Sequence, residues 1–206
     1  GRRCGCCWDA VMMEDERWGK IPPLQLTLLR AVVEHGKAHP AIGAGVVVGS
    51  LAKGKADRVS DVDVLLLAEP GFHQHGEALV RSIVGERAVF HCWQGRHEDV
   101  CSYWRYIFLD MSSIEIHILD RDAGFPLAKP YMPLFDKTHS LSALEVAGPA
   151  PSHWDFPAYM GDGNGLVWEL FDCLKWAERG QRGLVRHHLR KLLAEMDKDP
   201  DIVDRE

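Results

Sequence analysis

Asp61 and Asp63 stand one residue apart at the head of the apolar run VDVLLL. On a strand, side chains at i and i+2 share a face, so the two carboxylates project together while Val62 and Val64 enter a core. Paired carboxylates repel one another, and a divalent cation is the usual reason for keeping such a pair. Mg²⁺ takes hard oxygen ligands from one or two carboxylates plus substrate phosphates, so the pair predicts a nucleoside triphosphate site rather than a closed protein cage. Gly49 and Ser50 close the preceding β-branched run, and ten residues intervene before Asp61. A glycine lets backbone N–H groups approach a phosphate closely, and a serine hydroxyl donates to the same oxygens.

A two-metal arrangement wants a third carboxylate on an adjacent strand, with one ion activating the attacking hydroxyl and the other steadying the leaving pyrophosphate. Glu115 is the leading candidate, because the alternation Ser113-Ile114-Glu115-Ile116-His117-Ile118 places Glu115 and His117 on one face. Asp120 has the opposite phase and Asp110 lies in the turn before, so they rank second and third.

The elements that position these groups are legible as a pattern. LQLTLLRAVVEHGKA has helical periodicity, IGAGVVVG and VDVLLLAEP read as buried strands, and HGEALVRSIV reads as a helix. ERAVFHCW, YWRYIFLD and SIEIHILD alternate as three more strands. Residues 122–163 hold prolines 126, 130, 133, 149, 151 and 157 and read as a connection wrapped over a surface. GLVWELFDCLKWAE and GLVRHHLRKLLAEM then form an amphipathic helix pair broken at Gly180, with Leu184, Leu189, Leu192 and Leu193 expected on one side. The expected organisation is an N-terminal arm over 1–21, an α/β domain over 22–125, a proline-rich connection over 126–163 and a helical domain over 164–206. The fold class is α+β: a mixed β-sheet with flanking helices and a small C-terminal helical unit.

Composition narrows the function classes. The chain has 206 residues, 46% hydrophobic and 26% charged, which is globular usage. Twenty-four Lys+Arg against thirty Asp+Glu give a net charge of −6, which argues against a protein that mainly grips nucleic acid phosphates. No apolar run approaches the ~20 residues of a membrane-spanning helix, and the N-terminus lacks a signal-peptide h-region, so the expected compartment is the cytoplasm. Cys4, Cys6 and Cys7 crowd one end while Cys92, Cys101 and Cys173 are scattered, which favours reduced thiols over a disulfide framework. The cysteine-rich end reads as a leader or arm, with Met12 or Met13 as the expected start. His91, Cys92, His97 and Cys101 lack zinc-site spacing.

The stretch VVVGSLAKGKADRVSDVDVLLL resembles the signature of the polymerase β-type nucleotidyltransferase superfamily: Gly-Ser, about ten residues, then Asp-x-Asp. The resemblance takes in Gly54, Ser60 before the first aspartate, and the apolar flanks, and with Glu115 covers roughly residues 24–120. It implies a mixed-sheet nucleotidyltransferase fold and transfer of a nucleoside monophosphate from an NTP, ATP for example, to a hydroxyl acceptor. Asp61 and Asp63 would bind Mg²⁺, two ions in the family pattern, and Glu115 would be the third ligand or the general base. Gly49, Ser50 and Ser60 would lie on the nucleotide side, with Lys53 and Arg58 as candidates for pairing the triphosphate. His117, two residues beyond Glu115, is a departure that puts Glu115 as sole base in doubt.

The C-terminal CLKWAERGQRGLVRHHLRKLL is similar to the helical tail of lincosamide and aminoglycoside nucleotidyltransferases. That resemblance implies antibiotic modification, an acceptor pocket walled by the helices, and help from a second subunit in a homodimer. Trp154, Phe156, Tyr159, Trp168 and Trp176 are the aromatics expected to line it. Two alternatives stand beside this reading: an antitoxin-like adenylyltransferase that modifies a partner protein, and an inactive nucleotide-binding homologue. Arg182 and His187 fit an Arg-x4-His ribonuclease pattern, for which chance is the better account.

Overall fold

The computed structural model describes residues 18–150, 152–158 and 163–198. Cys4, Cys6, Cys7 and Tyr159 lie outside the described residues. Helix α1 (Pro23–Ala38) starts with proline at its first position, where the missing N–H costs no hydrogen bond. It leads into β1 (Ile42–Val47), the single turn α2 (Gly49–Ala52) and β2 (Val62–Ala68). Helix α3 (Glu77–Val84) and strands β3 (Val89–His97), β4 (Cys101–Phe108) and β5 (Ser113–Asp120) follow. The main sheet has six strands in the order β3-β4-β5-β2-β1-β7, where β7 is Met132–Asp136. Only the β2–β5 pair in it is parallel; the other neighbours run antiparallel.

Burial follows the period of two. Val62, Val64 and Leu66 of β2 and Ile114, Ile116 and Ile118 of β5 are closed to solvent against Leu28, Leu29, Val32 and Val33 of α1 and Leu79, Val80 and Ile83 of α3. Each such side chain contributes about 1.5–3 kcal/mol on leaving water, so this layer is the main reason the sheet has a defined inner face. The opposite face carries Asp63, Leu65 and Leu67 on β2 and Glu115, His117 and Leu119 on β5. Its β1 end is filled by Ala44, Val46, Leu65 and Leu67. Its β3–β4 end is covered by α4 (Asn164–Glu178), which packs Trp168 and Phe171 on Trp93, Tyr103 and Ile107. Helix α5 (Arg182–Met196) packs back on α4. Among the described residues, no helix is long and apolar enough to cross a membrane.

Two sequence expectations are corrected. The connection read over 126–163 contains β7, the edge strand of the main sheet, and the short parallel pair β6 (Leu127–Ala128) and β8 (Glu145–Val146). Strand β7 is too short for periodicity to reveal, and its place depends on glycines elsewhere: the Phe135 ring wedges between Gly36 of α1 and Gly45 of β1, where added Cβ atoms would lie 3.2 and 2.8 Å from it. The four leucines of α5 do not share a side. Leu184 and Leu192 are buried with His188 between them, whereas Leu189 and Leu193 are 42% and 59% exposed. The stripe 184, 188, 192 follows the i, i+4 rule, and one residue further on is rotated by about 100°.

Candidate active site

The parallel register of β2 and β5 places Asp63 opposite Glu115, and the antiparallel register of β4 and β5 places Arg105 opposite Glu115. Trp93 of β3 is opposite Arg105. A row of side chains therefore crosses four strands on the α4-covered face: Trp93, Arg105, Glu115, Asp63. Asp61 precedes β2 on the same face and accepts from the Ser113 hydroxyl.

Gly49 brings the turn after β1 onto this row. Its φ of +68° is left-handed, and a Cβ there would collide with Asp63 Oδ2. Val48 N–H donates to Asp63 O at 3.0 Å, which fixes the end of β1 beside the carboxylate. Gly49→Ala is expected to cost about 1–2 kcal/mol for the left-handed backbone alone, and more through displacement of the Asp63 carboxylate. Urea unfolding would register that loss.

The loop between α2 and Asp61 is held from two sides. Gln25, fully buried on α1, donates from Nε2 to Ser60 O at 2.9 Å and to Arg58 O at 3.1 Å. Asp57 accepts from Ser60 Oγ at 3.0 Å and from Val59 N–H at 3.1 Å, and Arg179, which caps the C-terminal end of α4, donates to Asp57 Oδ2 at 2.6 Å and Oδ1 at 2.8 Å. The Arg179 hydrogen bond holds the Asp57 carboxyl down at about 2. Of the expected nucleotide-side residues, Gly49 lies against the Asp63 carboxylate, Lys53 is exposed at the end of α2, Arg58 pairs with Glu178, and the buried Ser60 hydroxyl belongs to the Asp57 turn.

Four charged residues at the site carry no motif. Lys175 Nζ, on a side chain only 2% exposed, donates to Asp61 Oδ1 and Oδ2 at 2.6 and 2.5 Å and also pairs with Asp172. Arg105 donates to Glu115 Oε1 at 2.8 Å, and its guanidinium lies 4.7 Å from the Trp93 ring centre and 5.5 Å from that of Trp168. Arg179 anchors the loop. Their signal in the sequence is charge on the apolar stripe of α4 and within an aromatic strand, and it acquires meaning only once the helix is known to cover the sheet. Trp168 and Trp176, expected to line an acceptor pocket, are instead core residues, because both fall on that buried stripe. Trp154 and Phe156 are exposed.

The electrostatics divide the three expected catalytic carboxylates. Burial would raise Glu115, but the His117 hydrogen bond (Nε2 to Oε1, 2.5 Å) and the charges of His117 and Arg105 hold it down at about 2. Asp63 goes the other way: its recessed position, with the charges of Asp61 and Glu115, pushes it well above the usual carboxylate range. Burial also lifts Asp172 to about 6, against the opposing charge of Lys175.

Among the described residues, no three His, Cys, Asp or Glu side chains gather closely enough to hold an ion unaided. The donor chemistry still fits a divalent cation. Asp61 and Asp63 offer hard oxygens side by side, and burial of Asp63, together with the charges of Asp61 and Glu115, disfavours its ionised form unless a positive charge is supplied. Residues 27–112 match the family described as the nucleotidyltransferase domain. This segment is a nucleotidyltransferase domain. The chain is accordingly a transferase of the nucleotidyl class, with an NTP as substrate. Gly49, Ser50, Asp61 and Asp63 fall within the matched nucleotidyltransferase segment, whereas Glu115, α4 and α5 lie beyond it. No curated protein matches the chain.

Proposed function

We propose that this nucleotidyltransferase moves a nucleoside monophosphate, AMP from ATP in the first instance, onto a hydroxyl of a small molecule such as a lincosamide or aminoglycoside. The acceptor oxygen bonds to the α-phosphorus, the bond from that phosphorus to the bridging oxygen breaks, and pyrophosphate leaves. The observation that carries the reading is the meeting of Asp61, Asp63 and the left-handed Gly49 turn on one sheet face, with Glu115 directly across from Asp63.

Asp61 and Asp63 would hold Mg²⁺, two ions in the family pattern, which supplies charge neutralisation at the triphosphate and lowers the pKa of the acceptor hydroxyl. Gly49 and Ser50 would hold phosphate, since the first turn of α2 offers N–H groups that have no partner within the helix. Lys53 and Arg58, on the exposed loop, would pair with the outer phosphates. Glu115, held ionised by Arg105 and His117, suits a permanently anionic ligand better than a base, which works best with a pKa near the operating pH. A cationic acceptor suits the surrounding carboxylates Asp61, Asp63 and Asp172, because clustered negative charge raises its local concentration.

Incubation with ATP or GTP, Mg²⁺ and a panel of lincosamides and aminoglycosides, read by mass spectrometry of the acceptor, tests this. The expected result is one compound gaining the mass of a nucleoside monophosphate. An unmodified panel alongside intact NTP binding would overturn the small-antibiotic acceptor and turn attention to a partner protein.

A further inference from the structure

Lys175 is a buried ammonium placed where a cation is wanted. It is contributed by α4, more than a hundred residues along the chain from Asp61, and it contacts both oxygens of that carboxylate. Its second carboxylate partner is Asp172, one turn earlier on the same helix. Phe171 and Trp168 flank the ammonium, with ring centres 4.8 and 5.4 Å from Nζ. A lysine so enclosed has few other places to put its charge, and a buried charge without a partner is costly. Asp61 therefore has two suitors, since a carboxylate whose oxygens are both engaged by one ammonium cannot offer its full charge to an incoming ion.

We propose that Lys175 is a tethered cation that occupies Asp61 in the cation-free protein and competes with the divalent ion for it, so that ion binding at Asp61 and Asp63 requires Lys175 to shift its charge to Asp172. The inference rests on the proposed cation role of the aspartate pair. It assigns Lys175 as a positioning residue: it holds Asp61 in place and sets the affinity of the site without touching the reacting atoms. It also gives Asp172 a purpose, as the partner that receives the displaced ammonium. Because Lys175 and Arg179 both tie α4 to the Asp57–Asp61 segment, the occupancy of the aspartate pair is coupled to how firmly α4 is held.

The sign of the effect separates competition from structural support. A lysine that only supports the fold weakens the site when it is lost, whereas a competitor tightens it. Mn²⁺ binding, followed by electron paramagnetic resonance of the free ion and by calorimetry, would be measured on wild type, Lys175→Met and Asp63→Asn, each without nucleotide. Competition predicts Mn²⁺ binding on the order of tenfold or more tighter in Lys175→Met than in wild type. It also predicts a larger rise in melting temperature on adding Mn²⁺ to the variant, because at a given concentration a tighter ligand stabilises the folded state more.

Equal or weaker Mn²⁺ binding by a folded Lys175→Met would overturn the competition and leave the aspartate reading intact. Absence of Mn²⁺ binding in wild type and Lys175→Met alike would overturn both. Should Lys175→Met fail to fold, Asp172→Asn serves in its place. With its alternative partner removed, Lys175 would stay on Asp61, and Mn²⁺ binding would weaken by roughly tenfold. Unchanged affinity there counts against the proposal.

Discussion

Asp63→Asn is expected to abolish nucleotidyl transfer while making the cation-free protein harder to unfold. The loss follows from the chemistry of the pair. On the proposed reading, removing one of two carboxylates that would hold the cation forfeits roughly 4 kcal/mol of transition-state stabilisation, or about 10³-fold in rate. The gain follows from electrostatics in the folded chain. Asp63 is pushed up by its recessed position and by the charges of Asp61 and Glu115, so the folded state binds its proton more tightly than the unfolded chain does. Such a group opposes folding wherever it is ionised, and stability lost as pH rises through its range returns as pH falls. An isosteric neutral amide removes the repulsion without opening a cavity. In EDTA at neutral pH the variant should be the more stable of the two, with the higher Tm. Added Mg²⁺ should narrow or reverse the difference, because only wild type keeps the full binding pair. A lower Tm for Asp63→Asn in EDTA would contradict the charge excess inferred at this position.

Arg105→Ala should produce the largest loss of stability, on the order of 3–5 kcal/mol, because it removes the guanidinium that pairs with Glu115 in its recessed place on the sheet face. The guanidinium also fills the space between Trp93 and Trp168, so packing is lost together with charge. Arg105→Lys should recover only part of the loss, since an ammonium lacks the planar surface that lies over the tryptophans. The pH dependence carries a distinct mark. Glu115 is depressed from 4.5 to about 2 in the fold, so its stabilising contribution is complete above about 4.5 and lost as pH falls towards 2. Urea unfolding at pH 7 and again near pH 3 should show the gap between wild type and Arg105→Ala shrinking on acidification. A gap that is constant with pH would mean that Arg105 acts through packing alone.

Those two residues also mark the boundary of what the chain discloses before it is folded. Asp61, Asp63 and the Gly49 turn are legible because a short-range pattern carries them: alternation places both aspartates on one face, and glycine before serine at the end of a β-branched run marks a backbone that turns sharply. Glu115 is legible by the same alternation, and the register then puts it opposite Asp63. Arg105, Lys175 and Arg179 are not legible, because Arg105 meets Glu115 only through strand register and Lys175 and Arg179 reach Asp61 and Asp57 across more than a hundred residues, and Asp172 enters the site only as the helical neighbour of Lys175. Trp168 and Trp176 show the complementary error: aromatics on a helix beside a site look like pocket lining until the helix is seen to bury that stripe. Strand β7 escaped for a different reason. Its five residues include Pro133, and its pairing depends on the glycines that admit Phe135.

On the proposed reading, Asp61 and Asp63 support transfer of a nucleoside monophosphate. Pyrophosphate release from ATP or GTP with Mg²⁺, measured across hydroxylated acceptors for wild type and Asp63→Asn side by side, tests it most directly. Acceptor-dependent release by wild type that disappears in the variant is the predicted result. Equal release by the two proteins would contradict it.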